Sequence, residues 1–222
     1  MTLKGVLFDL DGTLVEQESA AAAAVVDWAA EHGITDPDVS ARWAAVSDRH
    51  YMRYQRRELT FAEQRRNRVR EFLGVDVSDE HADELFQGYL QRYEAGWTLF
   101  DDAVPALRRV RAAGLATVVF TNGNTDHQRF KLGRFGLSDE IDVLISSEML
   151  PAGKPDPRAF LHALDLLQLT PSEALMVGDS LEKDVRGALA VGIDAVLVDR
   201  YDEHADVEVR RIRSLHELSG VS

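Results

Sequence analysis

The chain has 222 residues, of which 45% are hydrophobic, and a formal net charge of −13. This length suits one large domain or a domain with an insertion, and the negative charge argues against a general nucleic-acid-binding protein. Because the sequence contains no cysteine, disulfides, thiolate metal sites and cysteine nucleophiles are excluded.

Membrane and secretion signals are also missing from the sequence. No apolar stretch approaches the ~20 residues that cross a bilayer. The amino terminus runs into a short apolar segment and then two Asp, without the apolar region of a signal peptide. We therefore expect a cytoplasmic protein with no membrane partner.

The first predicted element is an apolar strand at residues 3–8, which is followed by Asp9 and Asp11. Side chains two positions apart on a strand point the same way, so both carboxylates leave the strand end together. Gly12 lets the chain turn close by. Neighbouring carboxylates repel each other unless a cation or a shared proton offsets the repulsion. The pair therefore suggests a metal site with a nucleophile and an acid/base, although alone it fits a structural Asp-Gly turn equally well.

Residues 15–97 have a helical pattern that no strand signal interrupts. Helices are predicted over about 18–31, 39–58, 61–73 and 79–95. The third begins with a capping box, Thr60 and Glu63, and ends at Gly74. We interpret this block as an inserted all-helical cap that folds separately.

The remainder of the chain alternates between helices and strands. Helices are predicted at 102–113, 126–135, 157–167 and 182–191, and strands at 116–120, 142–145, 174–177 and 195–198. This alternation predicts an α/β fold, a Rossmann-like parallel sheet core of about five strands with helices on both faces. Residues 1–14 and 98–222 should form this core. The 15–97 cap should lie over the carboxyl edge of the sheet, where open parallel sheets bind ligands.

Two further strand ends carry groups suited to an anion. Thr121, Asn122 and Gly123 follow the strand at 116–120 and supply a hydroxyl and backbone N–H groups that suit a phosphate oxygen. Lys154 lies in a proline-stiffened loop after the next strand, where its charge can neutralise an anionic intermediate. In isolation, these segments also fit a helix cap and a solvent-facing turn.

The strand at 174–177 is followed by Asp179 and, five residues later, by Asp184. Asp179 is a candidate metal ligand and Asp184 a candidate supporting partner, while a helix N-cap at Asp179 or Ser180 is the plainer interpretation. Four strand ends thus carry two Asp, a Thr, a Lys and a third Asp. Unrelated turns would not be expected to assemble such a set on one sheet edge, so the combination favours an active site.

This ordered set resembles the haloacid dehalogenase-like (HAD) hydrolase superfamily over essentially the whole chain. Its four motifs match Asp9-x-Asp11-Gly-Thr13, Thr121, Lys154, and Gly178-Asp179-Ser180 with Asp184. The helical insertion is similar to the cap of the phosphoglycolate phosphatase-like and dehalogenase-like branch. A group of nucleotidases and sugar-phosphate phosphatases is similar at Gln128, Lys131, Gly136-Leu137 and Ser147-Glu148. The segment Pro151-Ala152-Gly153 departs from the usual pattern before the Lys.

The resemblance implies a Mg²⁺-dependent phosphatase that acts on a small phosphorylated metabolite: a sugar phosphate, a phosphoglycolate-like molecule or a nucleoside monophosphate. It assigns Asp9 as the nucleophile that forms an aspartyl-phosphate. It assigns Asp11 as the acid that protonates the leaving oxygen and the base that then deprotonates water. Mg²⁺ would be held by Asp9, the Asp11 backbone carbonyl and Asp179.

The remaining assignments concern the phosphoryl group and the supporting residues. Thr121 and Lys154 complete the catalytic set and, with Asn122 and Gly123, would bind phosphoryl oxygens. In the resemblance, Asp184 orients the metal shell. Thr13 fixes the loop that carries Asp11.

Three alternatives to a phosphatase remain open. A 2-haloacid dehalogenase of the same superfamily attacks carbon, needs no Mg²⁺ and lacks an acid/base Asp two residues after the nucleophile, so Asp11 and Asp179 favour phosphoryl chemistry. A phosphomutase keeps all four motifs. A non-catalytic binding protein on this fold would be free to lose part of the set, and no motif is missing.

Substrate choice is expected in the cap, because the core motifs recognise only the phosphate. Residues 42–70 include nine Arg and no Lys against three acidic residues. Arg49, Arg53, Arg56 and Arg57 would share one helical face. Arg53 and Arg57 are therefore candidates for binding an anionic substrate, and a solvated or acid-paired surface is the alternative. Neither the particular phosphoester nor the oligomeric state follows from the sequence.

Overall fold

The computed structural model describes residues 2–220. The chain divides into two compact units. Residues up to Val15, together with those from Leu99 onward, form an α/β unit, and Glu16–Thr98 form a helical unit.

The α/β unit is built on a six-stranded sheet. The eight strands of the described chain are β1 (Gly5–Phe8), β2 (Val15–Glu16), β3 (Thr98–Leu99), β4 (Ala116–Thr121), β5 (Val143–Ser146), β6 (Ala174–Gly178), β7 (Asp194–Val198) and β8 (Arg211–Ile212). The sheet order is β5-β4-β1-β6-β7-β8, and β2 pairs only with β3. All neighbouring strands of the large sheet are parallel. The order runs outward from β1 in both directions, which sends right-handed crossover helices to opposite faces.

Eight α-helices complete the described chain. They are α1 (Glu18–Glu31), α2 (Val39–Gln55), α3 (Phe61–Leu73), α4 (Asp79–Gly96), α5 (Ala103–Ala112), α6 (Thr125–Arg134), α7 (Pro157–Leu167) and α8 (Gly187–Leu189). A π-helical segment, Leu181–Arg186, leads directly into α8. Helix α7 begins as its sequence predicts, with Asp156 as N-cap accepting a hydrogen bond from the Arg158 N–H and with proline at the first turn.

The core of the α/β unit lies between the central strands and their covering helices. Leu7, Phe120, Met176 and Leu197 are fully buried in neighbouring strands, and Phe160 of α7 packs on the same cluster. Every residue of β1 is buried. Parallel strands covered on both faces need such continuous apolar runs, and these runs hold the polar strand ends in place.

The helical unit has an aromatic core. The Trp43 ring lies 5.2 Å from Trp28, 5.0 Å from Phe72 and 4.7 Å from Tyr89, measured between ring centroids. Helix α3 begins with the expected capping box, in which Thr60 accepts from the Glu63 N–H and Glu63 accepts from the Thr60 N–H. The unit therefore has its own packed core and its own helix-stop signals.

The predicted fold class, a parallel α/β sheet with an all-helical insertion, is confirmed. The sheet has a sixth strand, β8, because a two-residue strand shows no alternating pattern in sequence. The helix predicted at 39–58 ends earlier, at Gln55, since the chain enters the left-handed region at Arg57, where φ is 64°. The helix predicted at 182–191 starts instead with the π-helical segment.

No helix within residues 2–220 has both the length and the apolar character required to cross a membrane.

Truncating Phe160 to Ala should lower the free energy of unfolding of the α/β unit by about 3–5 kcal/mol, because a fully buried ring is replaced by a cavity. Its neighbour on α7, Leu161, is half exposed, so Leu161→Ala should cost only about 0.5 kcal/mol. Urea unfolding followed by circular dichroism measures both values. Equal losses for the two variants would contradict the packing described for α7.

Candidate active site

The strand register brings the polar strand ends to one edge of the sheet. Phe8 of β1 pairs with Val119 of β4 on one side and with Val177 of β6 on the other. The residues that follow these positions therefore emerge together at the carboxyl edge. The Asp9 N–H donates to the Val177 carbonyl at 2.9 Å, which seats the first carboxylate directly beside β6.

A tight turn follows β1 and carries the second carboxylate. The Gly12 N–H donates to the Val15 carbonyl at 2.8 Å. Gly12 has a φ of +87°, and a Cβ at this position would lie 2.2 Å from Oδ2 of Asp179. Glycine is thus required both for the backbone conformation and for the close approach of Asp179.

Thr13 ties this turn to the end of β6. Its hydroxyl accepts the Asp179 N–H at 3.0 Å and lies 3.2 Å from the Asp179 carboxylate, to which it donates. Its carbonyl accepts from Arg200 at 2.8 Å, and Arg200 also forms a two-pronged ion pair with buried Asp102 at 2.8 and 2.9 Å. The turn is therefore anchored from two sides, as expected for a residue that fixes the loop.

Lys154 lies at the centre of the site and is almost fully buried. Its Nζ donates to Asp9 at 2.7 Å, to Asp184 at 2.5 Å and to the Phe120 carbonyl at 2.8 Å. Burial by itself would lower the pKa of Lys154, but the charges of Asp184 and Asp9 outweigh it and raise the pKa. The lysine is consequently a permanent positive charge between two carboxylates.

The residues after β4 support that lysine. The side-chain amide of Asn122 donates to the Lys154 carbonyl at 2.8 Å and accepts the Lys154 N–H at 2.8 Å. The Gly123 N–H donates to the Ser147 hydroxyl at 2.9 Å. The Thr121 hydroxyl is buried and lies 3.3 Å from the Gln128 amide nitrogen. Asn122 thus holds the lysine loop in place, and Thr121 faces a partner on α6.

Three carboxylates gather around the buried lysine. Oxygens of Asp9, Asp179 and Asp184 all lie within 4.8 Å of one another. Burial raises the pKa of Asp9 to about 7, against the lowering effect of Lys154 and with a further contribution from Asp184. Burial and the charges of Asp9 and Asp184 also raise the pKa of Asp179. Such mutual repulsion is what a divalent cation relieves, and oxygen ligands suit Mg²⁺.

Asp11 lies outside that carboxylate group and has its own partners on α6. The buried Lys131 Nζ forms an ion pair with Oδ1 of Asp11. The Gln128 amide nitrogen lies 3.3 Å from Oδ2 of Asp11 and 2.9 Å from the Asn122 carbonyl. The two carboxylates of the β1 turn are therefore held by two different cations.

Lys131 and Gln128 are absent from the site residues that the sequence predicts. They were noted only as part of the similarity to a group of phosphatases. Their spacing of three places them on one face of α6, and α6 begins two residues after Gly123. This geometry was available in the sequence as a signal, but it did not show which carboxylate the two residues contact.

The two candidate cap residues lie in the helical unit. Arg53 pairs with Glu58 at 3.2 Å. Arg57 lies beyond the end of α2, so the prediction that it shares a helical face with Arg53 is wrong. Arg49, on the same predicted face, pairs with Glu71. Acid pairing, the alternative considered for this surface, thus describes Arg49 and Arg53.

The fold and the site define an α/β enzyme with acidic groups and a buried lysine at the carboxyl edge of its sheet. The family model described as haloacid dehalogenase-like hydrolase matches residues 3–192. The chain belongs to this family, which confirms the resemblance drawn from the motifs.

Curated relatives include several phosphatases. The chain is 39% identical to phosphoserine phosphatase of Thermus thermophilus over 142 residues, which cover 63% of this chain and 57% of that protein. The chain thus spans little more than half of this relative's length. It is 30% identical to phosphoglycolate phosphatase of Salmonella paratyphi A, over 87% of this chain and 80% of that protein.

Solved structures of the same fold include dehalogenases. The 2-haloacid dehalogenase of Pseudomonas syringae pv. Tomato DC3000 superposes with a TM-score of 0.71 at 26% identity. The match covers 99% of this chain and 98% of that one. Fold and family are therefore shared by enzymes named for two different reactions.

Without divalent cations, the free energy of unfolding should fall as the pH rises from about 4 to about 7. Folded Asp9 has a pKa of about 7 against an ordinary 3.8, and that of Asp179 is also raised. The folded state thus binds more protons than the unfolded state in this range, and the stability present at low pH is lost as these groups ionise. Urea unfolding in EDTA across this range measures the slope.

Two comparisons check the cause of that slope. Mg²⁺ should raise the stability most above about pH 7, where the carboxylates are ionised. The double variant Asp9→Asn/Asp179→Asn should show a flatter pH dependence. An unchanged slope in this variant would refute the assignment of the slope to these two groups.

Proposed function

We propose that this chain is a Mg²⁺-dependent phosphatase that hydrolyses a small phosphomonoester through an aspartyl-phosphate. The observation that carries the proposal is the pair of carboxylates on the β1 turn, each with its own cation: Asp9 with Lys154 and Asp11 with Lys131. The phosphatase names of the curated relatives support it. The substrate class proposed is a sugar phosphate, a phosphoglycolate-like molecule or a nucleoside monophosphate.

Asp9 is the proposed nucleophile. A carboxylate oxygen of Asp9 attacks phosphorus, and the bond between phosphorus and the leaving oxygen breaks. The charge of Lys154, 2.7 Å from Asp9, favours the ionised carboxylate despite its burial. Water later attacks the phosphorus of the intermediate, which releases inorganic phosphate and restores Asp9.

Asp11 is the proposed acid and base. It delivers a proton to the leaving oxygen in the first step and takes a proton from the attacking water in the second. Lys131 and the Gln128 amide each hold one oxygen of its carboxylate, which fixes its orientation. The nucleophile and the acid/base thus have separate supports.

The phosphoryl oxygens are proposed to bind at the end of β4 and at Lys154. Lys154 offsets charge in the transition state, where positioning and electrostatics supply most of the catalysis. Thr121 supplies its hydroxyl. Asn122 contributes by holding the Lys154 loop, and the Gly123 N–H contributes once it leaves the Ser147 hydroxyl.

The residues at the carboxyl edge also fit Mg²⁺. Asp9, Asp179 and the Asp11 backbone carbonyl would hold it, because hard cations prefer oxygen ligands. When bound, Mg²⁺ neutralises charge on the phosphoryl oxygens. Asp184 supports the set through Lys154 and through its 3.1 Å hydrogen bond from the Ser180 N–H.

A 2-haloacid dehalogenase is the second candidate, favoured by the structural similarity to enzymes of that name. It would attack carbon and would need neither Mg²⁺ nor an acid/base two residues after the nucleophile. The buried support of Asp11 by Lys131 argues for phosphoryl transfer, since a side chain without a role would not require it. A phosphomutase and a non-catalytic binding protein remain outcomes of the same experiment.

The proposal predicts Mg²⁺-dependent release of inorganic phosphate from one or more esters in a panel of phosphorylated metabolites. Asp9→Asn should lower kcat by at least about 10³-fold, because the amide cannot attack phosphorus. Asp126→Asn, a control at an exposed carboxylate on α6, should retain activity. Chloride release from 2-chloropropionate by the wild type, without turnover of any phosphoester, would instead establish the dehalogenase.

Lys131→Met should impair proton delivery by Asp11, because the Asp11 carboxylate loses its charged partner. We expect kcat to fall about 10²-fold for an alkyl phosphate, whose leaving alkoxide needs a proton. For p-nitrophenyl phosphate, whose leaving group is stable as an anion, the loss should be under about tenfold. Arg129→Met, on the exposed face of the same helix, is the matched control. Equal losses for the two esters would show that Lys131 does not act through Asp11.

A further inference from the structure

Most arginines of the helical unit are neutralised by carboxylates of the same unit. Arg66 of α3 pairs with Asp79 and Asp83, and Arg70 pairs with Asp79. The other ion pairs are Arg42–Asp36, Arg49–Glu71, Arg53–Glu58 and Arg92–Glu31. The positive block therefore pairs largely with acidic residues, and the arginines that do not pair become the informative ones.

Arg65 and Arg68 are the exceptions on α3. Neither forms an ion pair with any carboxylate of residues 2–220, although both are half-buried. Their spacing of three puts them on one helical face, next to the face that carries Arg66 and Arg70. Two positive charges thus share one face without a negative partner.

Aromatic rings surround both guanidinium groups. The Arg65 Cζ lies 4.0 Å from the Phe61 ring centroid and 5.0 Å from that of Phe86. The Arg68 Cζ lies 4.7 Å from the Trp43 ring and 5.2 Å from the same Phe86 ring. Such contacts stabilise a cation by about 0.5–2 kcal/mol. They hold the two guanidinium groups in place without neutralising them.

The pair also has unmet hydrogen-bonding capacity. Nε of Arg68 is buried and has no hydrogen-bond partner among the described residues. The Arg68 Nη1 reaches only Gln64, at 3.5 Å. Burial, with a contribution from the charge of Arg68, lowers the pKa of Arg65 to about 10. Both groups stay charged at neutral pH, so an approaching anion would relieve their repulsion and accept their free donors.

We propose that Arg65 and Arg68 form a binding site for an oxyanion, a carboxylate or phosphate group of a small organic ligand. Two guanidinium groups match the paired oxygens of such a group, and the surrounding rings exclude water and strengthen the interaction. The oxyanion has two possible sources. It belongs to the phosphatase's own substrate as a second acidic group, an arm that rests on the proposed function, or to a separate molecule.

The binding arm is independent of catalysis. Malonate is titrated into the full-length protein, and tryptophan fluorescence is followed because Arg68 stacks on Trp43. We expect saturable binding, with Kd raised about tenfold or more in Arg65→Met and in Arg68→Met. Arg66→Met, which removes a paired arginine of the same helix, is the matched control and should change Kd by less than about twofold.

The kinetic arm distinguishes the two sources. If the oxyanion is part of the substrate, both Met variants raise KM for 2-phosphoglycolate about tenfold and leave KM for ethyl phosphate within about twofold. If it is a separate molecule, the Kd for malonate rises while both KM values hold. A wild type that binds malonate but turns over no phosphoester contradicts the proposed function and leaves the oxyanion site supported.

The proposal is overturned if folded Met variants bind malonate and 2-phosphoglycolate as the wild type does. Should either Met variant fail to fold, Arg65→Lys and Arg68→Lys replace it. These variants keep the charge but lose the two-pronged geometry, so Kd should still rise several-fold. An unchanged malonate Kd in the Lys variants equally rejects a site made by two guanidinium groups.

Discussion

The geometry of the site depends on the ammonium group of Lys154, buried between Asp9 and Asp184. Several carboxylates this close to one another in an environment of low dielectric would otherwise drive each other to the protonated state. The lysine reaches them because Asn122, at the end of β4, holds the lysine loop by two hydrogen bonds. The parallel register of β1, β4 and β6 is therefore also a condition for the electrostatics of the site.

A second buried cation separates the tasks of the two carboxylates on the β1 turn. Asp9 and Asp11 are only two residues apart, yet Lys154 contacts the first and Lys131 the second. A shared cation would couple their protonation, whereas separate cations let one carboxylate stay ionised while the other exchanges protons. Helix α6 thus takes part in the proposed chemistry although its residues follow the second motif by several positions.

Much of the fold and part of the site were predictable from local patterns. Apolar runs and helix-capping signals placed the helices and five strands of the large sheet within a few residues, since both depend on neighbouring residues. Asp9, Lys154 and Asp179 were predictable because each follows a strand whose end the pattern locates. The short strand β8 and the π-helical segment were missed, because neither has a distinctive period.

The sequence by itself determined the fold class, the family and the positions of the acidic groups at the sheet edge, because these follow from periodicity and from motifs in fixed order. Only the tertiary structure decided which cation meets which carboxylate. Lys131 and Asp11 are far apart along the chain, and so are Arg66 and its acidic partners. Nothing in the local spacing of Arg65 and Arg66 tells them apart, because ion pairing depends on which helix packs against each face.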